Sequence, residues 1–80
     1  MTNRAAIFAY LDTLGECQIS GRILPDVVCS MNGRYPYHAT LLDYCRDYAG
    51  ISGGEFNCVD NQKSIYHFTP GVRLDNAIVD

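Results

Sequence analysis

The sequence predicts a small α+β domain, three helices followed by a β-hairpin, on three observations. Apolar residues recur at helical spacing in segments before Gly50. Gly15 and the pair Asn32-Gly33 interrupt that pattern, and both residue types tolerate the positive φ that ends a helix. Beyond Gly54 the period changes to two, in Glu55–Val59 and Ser64–Thr69, around a turn at Asp60–Lys63.

The first helix is expected from Asn3 to Leu14. Thr2 or Asn3 supplies a cap oxygen for unpaired N–H groups, Ile7, Tyr10, Leu11 and Leu14 line one face beside Ala6, and Gly15 ends it. Glu16–Ser20 reads as a short extended link in which Cys17 and Ile19 alternate with Gln18. The second helix is expected from Leu24 to Met31, because Pro25 fits only the first turn, where its missing N–H costs nothing. Leu24, Val27, Val28 and Met31 form its buried side.

A third helix should begin at Pro36 and run to about Tyr48, with Gly50 closing it. Ala39, Leu42, Cys45 and Ala49 make its inner stripe, widened by Leu41 and Tyr48, while Tyr37, Thr40, Asp43, Tyr44 and Asp47 lie largely opposite. Ser52-Gly53-Gly54 is loop. In the hairpin, alternation puts Phe56, Cys58, Tyr66 and Phe68 on one face, with Cys58 opposite Tyr66 and Phe56 opposite Phe68; Asn57 and His67 take the other face. Pro70-Gly71 stops the strand, and Val72–Asp80 reads equally as a short strand, a frayed helix or an arm. The predicted core is Ile7, Leu11, Leu14, Val28, Met31, Ala39, Leu42, Cys45, Phe56 and Phe68.

Eighty residues make one domain, residues 1–80, with 71–80 as a candidate arm or tail. A hydrophobic content of 48% with 19% charged residues is that of a folded globule, since a disordered chain would be poorer in apolar residues. The net charge of −3 argues against a broad basic footprint; Lys63 is the lone lysine, beside Arg4, Arg22, Arg34, Arg46 and Arg73. Cys17, Cys29, Cys45 and Cys58 are too far apart in sequence for the C-x-x-C arrangement that offers two thiolates from one turn. Reduced, mostly buried thiols in a cytoplasmic protein are expected, with no signal peptide, no membrane span and no cofactor.

The order helix, turn, helix, hairpin resembles the winged helix-turn-helix family over residues 3 to 70. Cys29 matches its small residue where the helices cross, Gly33 its turn, and Ala39 and Leu42 its inner anchors. Polar Asn32 and Arg34 depart from the apolar residues that often flank the turn glycine, and Pro25 shortens the first helix of the pair. The resemblance implies that the third helix enters the major groove of DNA and that the hairpin is the wing. Tyr35, Tyr37, His38, Thr40 and Tyr44 would then face bases and sugars, while Arg34, Arg46 and Lys63, with Gln62, would contact phosphates. Such a small transcriptional regulator is expected to act as a dimer, because one module offers few contacts.

The alternative is a protein-interaction module or inhibitor, of the kind a phage or other mobile element encodes. Six tyrosines without a tryptophan, four of them between Tyr35 and Tyr48, are the chemistry of protein-binding hot spots. Asp43 and Asp47 also bring negative charge to the helix that should approach DNA, and no arginine stands in its central base-reading part. The two readings part on whether Arg34, Arg46 and Lys63 converge; an acidic surface there removes DNA.

No enzyme is expected. His67 falls on the sheet face opposite Cys58, and His38 and Cys45 lie about 10 Å apart along one helix, too far for a hydrogen-bonded dyad. Asp43 and Asp47 read as a solvated face, and no glycine-rich phosphate loop occurs. Neither catalytic residues nor a metal site are assigned.

Overall fold

A computed structural model describes residues 2–71. The elements run α1 (Asn3–Asp12), β1 (Cys17–Ser20), α2 (Leu24–Asn32), α3 (His38–Ser52), β2 (Glu55–Asp60) and β3 (Ile65–Thr69), an α+β arrangement with a three-stranded antiparallel sheet in the order β1-β3-β2. The candidate arm at 72–80 lies outside the described residues. Among the described residues, no helix is long and apolar enough to cross a membrane.

Thr2 caps α1 by accepting the Ala5 N–H on its hydroxyl, 3.0 Å away. The helix ends at Asp12, earlier than the expected Leu14: the Thr13 N–H and hydroxyl both turn back onto the Tyr10 carbonyl, so Gly15 is not needed as its stop. The link after it is β1. Cys17 pairs with Phe68 and Ile19 with Tyr66, which makes β3 the central strand and the hairpin two thirds of a sheet. The alternation of Cys17 and Ile19 about Gln18 was the sign of this strand, and its partner lies some fifty residues on.

The second helix forms where expected, with Pro25 in its first turn and Gly33 closing it at φ +75°, where a Cβ would strain the backbone. The third is shifted. Pro36 stands outside, Tyr37 is the N-cap, and the helix passes through Gly50 to end at Gly53 in the left-handed region. Its buried stripe is Leu41, Leu42, Cys45, Tyr48, Ala49 and Ser52. Ala39, a predicted core residue, is exposed because it lies about 120° round the helix from that stripe at 3.6 residues per turn. Met31 is likewise 42% exposed, and Leu14 is only half-buried. The packed interior instead recruits Ala6, Phe8, Ile19, Leu24, Leu41, Tyr48, Ala49 and Tyr66 around Ile7, Leu11, Val28, Leu42, Cys45, Phe56 and Phe68.

The hairpin register is the expected one, Phe56 opposite Phe68 and Cys58 opposite Tyr66. A bulge between Cys58 and Asp60 moves the turn to residues 61–64, and Ser64 takes φ +55°. Cys58 is exposed although it shares the inner face, and Cys17 and Cys29 are half-buried; only Cys45 is a buried thiol. The Phe56 and Tyr66 rings stack with centroids 4.8 Å apart, covering the hairpin's inner face.

Gly21 fixes how the sheet meets the helices. Its N–H donates to the Ser64 carbonyl at 2.7 Å, and a Cβ there would lie 3.0 Å from His38 Nε2, 3.2 Å from Leu42 and 3.3 Å from Tyr66. Gly21→Ala is therefore expected to destabilise the domain by about 1–3 kcal/mol through overpacking, read as a lower urea midpoint with an unchanged slope. A wild-type midpoint would show that these side chains yield freely.

Candidate functional site

The residues singled out by the sequence fall on two surfaces. One is the outward face of α3. Ala39, Thr40, Asp43, Arg46, Asp47 and Gly50 are all exposed on it. Arg46 Nη1 donates to Asp43 Oδ1 at 3.1 Å, one turn back along the same helix. The cation expected to meet a phosphate is thus neutralised by its neighbour, and Asp47 leaves the face net negative. Tyr44 does not join it, being half-buried and packed against the core. Nor does His38 present its ring outward: Nε2 is buried beside Gly21 and has no hydrogen-bond partner among the described residues. With Tyr44 and His38 turned inward, the expected base-facing set shrinks to Tyr35, Tyr37 and Thr40.

The second surface is the α2 side and the turn that follows it. Tyr35 is 66% and Tyr37 77% exposed, the most open large hydrophobic side chains among the described residues. Tyr35 folds back over α2, and its hydroxyl donates to Asp26 Oδ1 at 2.7 Å. That bond, with the nearby carboxylate charge, raises the Tyr35 pKa above the usual tyrosine value. It also ties the exposed Tyr35 ring back to α2 through its hydroxyl. Ile23 and Met31 are about two-fifths exposed on the same helix, with half-buried Val27 between them at four-residue spacing. Arg34 stands in the turn without an ion pair or hydrogen bond among the described residues.

Lys63 lies exposed in the hairpin turn, and Arg46 on α3. The turn is held by Asp60, whose Oδ1 accepts the Gln62 and Lys63 N–H groups at 3.0 and 3.1 Å. A residue that sequence reasoning left out, Arg22, reaches it from the β1–α2 connection: Nη2 donates to the Gln62 carbonyl at 2.9 Å. The carbonyl is neutral, so Arg22 keeps its full charge one residue from Lys63. No local signal could have paired them, because forty residues of chain separate the two. Arg22 is therefore bound to the turn that carries Lys63, while Arg46 is paired with Asp43 on α3.

Nothing here is arranged as a nucleophile. Burial pushes the Cys45 thiol up to about 12, which keeps it protonated and inert. Tyr10, near Cys17 and Cys45, is also raised, first by burial. His67 meets Glu16 at 2.8 Å on the outer sheet face and no cysteine. Among the described residues, no three His, Cys, Asp or Glu side chains gather as a metal site.

Cysteine labelling tests this ordering. With iodoacetamide at pH 8, exposed Cys58 is expected to react first and Cys45 last, at a rate that follows opening of the fold. Because the folded Cys45 pKa lies above its value in the unfolded chain, its contribution to stability is complete below about pH 9 and is lost as pH rises toward about 12. Early labelling of Cys45 would contradict the packing of α1 against α3. No protein-family model, curated protein sequence or solved structure matches this chain.

Proposed function

We propose that this chain is a winged-helix-like protein-interaction module whose binding surface is the α2 side and the α2–α3 turn. The fold part of that reading rests on the order helix, strand, helix, helix, strand, strand and on the arrangement β1-β3-β2, in which a hairpin follows the last helix. The functional part rests on one observation above the rest. The α3 face that would enter a DNA groove carries Asp43 and Asp47, and its arginine is spent on Asp43. Phosphate neutralisation supplies most of the affinity of a DNA-binding module, and a net-negative helix face repels it.

The exposed side chains around the turn support the protein reading directly. Tyr35, Tyr37, Ile23 and Met31 offer aromatic and aliphatic area with a polar handle, the composition of interface centres. DNA binding stands as the second reading because Arg22 binds the hairpin turn that carries exposed Lys63, where a wing would touch a backbone.

Two measurements separate these readings. Fluorescence anisotropy with random duplex DNA is expected to show no binding at low salt; binding that weakens steeply as salt rises would overturn the protein reading. A photo-crosslinking amino acid in place of Tyr37, in the cells the protein comes from, is expected to form adducts with another protein. The same probe in place of exposed Glu55 on β2 is expected to form far fewer. Equal adduct formation at both positions would remove the turn as the binding surface.

A further inference from the structure

The two ends of α2 are flanked by Arg22 and Arg34, while the outward face of α3 is net negative, and this says what kind of segment fits α2. Ile23, Val27 and Met31 recur every four residues and form an apolar stripe about 12 Å long at 1.5 Å rise per residue. Arg22 precedes the stripe and Arg34 follows it, both exposed. Arg22 is held by a neutral carbonyl and Arg34 has no ion-pair partner among the described residues, so both charges are uncancelled. Lys63 adds a third cation at the Arg22 end. Of the two carboxylates nearby, Asp60 is turned onto backbone N–H groups and Asp26 accepts the Tyr35 hydroxyl. These donors are neutral, so both carboxylates keep their charge, and Arg22, Arg34 and Lys63 outnumber them by one.

We infer that the outer face of α2 docks an acidic amphipathic helix from another protein. Its apolar residues would lie along Ile23, Val27 and Met31, beside the Tyr35 ring, with carboxylates at its two ends meeting Arg22 and Arg34. The argument is charge complementarity around a short apolar centre, and the acidic α3 face adds to it by repelling the same segment from the neighbouring surface. A helix-in-groove partner of this kind presents anchors at i and i+4, the spacing that α2 itself offers. The inference rests on the protein-interaction reading and narrows it to one partner chemistry.

The test uses two synthetic helical peptides that share leucines at i, i+4 and i+8 and differ only in carrying glutamates or lysines at both ends. Binding to the full chain is followed by amide chemical shifts. The glutamate peptide is expected to bind more tightly and to move the signals of Ile23, Val27, Met31 and Tyr35. Arg22→Glu with Arg34→Glu is expected to weaken it about tenfold, the effect of two rim charges reversed, and to admit the lysine peptide. Arg34→Glu alone, which breaks no hydrogen bond of the described fold, is expected to give part of that loss and guards against a hairpin loosened at Arg22. Equal binding of the two peptides, preference for the lysine peptide, shifts confined to α3, or no shift with either peptide would overturn the inference. If Tyr37 still crosslinks to a protein while the glutamate peptide fails, the acidic-partner inference falls and the interaction module stands. If Tyr37 forms no protein adduct, the parent reading falls.

Discussion

Tyr48 joins the three parts of this fold through a single side chain. Its ring meets Phe8 of α1 edge-on, with centroids 5.2 Å apart, and leans on Phe68 of β3 at 5.9 Å. Its hydroxyl donates to Asp12 Oδ1 at 2.6 Å, so the polar end of a 3%-exposed residue is satisfied at the end of α1. Helix α3 is therefore clamped between α1 and the central strand. An eighty-residue chain has a small core, so the outward face of α3 follows from how Tyr48 seats that helix. With Tyr48 inward, Thr40, Asp43 and Asp47 point out, and Tyr44 is caught at the edge of the core.

The local parts of the fold were legible because local chemistry decides them. Thr2, Pro25 and Gly33 mark helix ends by the hydrogen bonds they supply or cannot make, and the alternation around the hairpin sets which residues face each other. What was not legible depended on distant partners. The link at Glu16–Ser20 is a strand only because β3 lies beside it, and four residues of alternation do not announce a partner so far along the chain. Gly50 looked like a stop, yet packing on both sides of it carries α3 on to Ser52; a helix interior tolerates one glycine at a cost of about 1 kcal/mol.

The site divides in the same way. Exposure of Tyr35 and Tyr37 could be read from a turn next to a proline, since connecting segments run over the surface. The fate of each charge could not. Arg46 and Asp43 stand three residues apart on one helix, a spacing that permits the pair but does not require it. Arg22 reaches the Gln62 carbonyl by a bond across forty residues, which no periodicity contains. Side chains of the same type thus have different uses: one arginine is cancelled, one is fixed with its charge intact, and Arg34 is left in the turn.

That division explains why a scaffold of this layout can change its ligand without changing its core. The buried stripe of α3 and the inner face of the hairpin hold the elements in place, and none of Asp43, Arg46, Asp47, Arg22 or Arg34 contributes to that packing. Exposed charges of this kind contribute little to stability, so the sign of each face is free to vary while the fold persists. In this chain the outward face of α3 is net negative, with Asp43 and Asp47 against Arg46, while Arg22 and Arg34 flank α2. Opposite charge on adjacent faces favours one docking orientation over the other, because a segment attracted to one helix is repelled by the next.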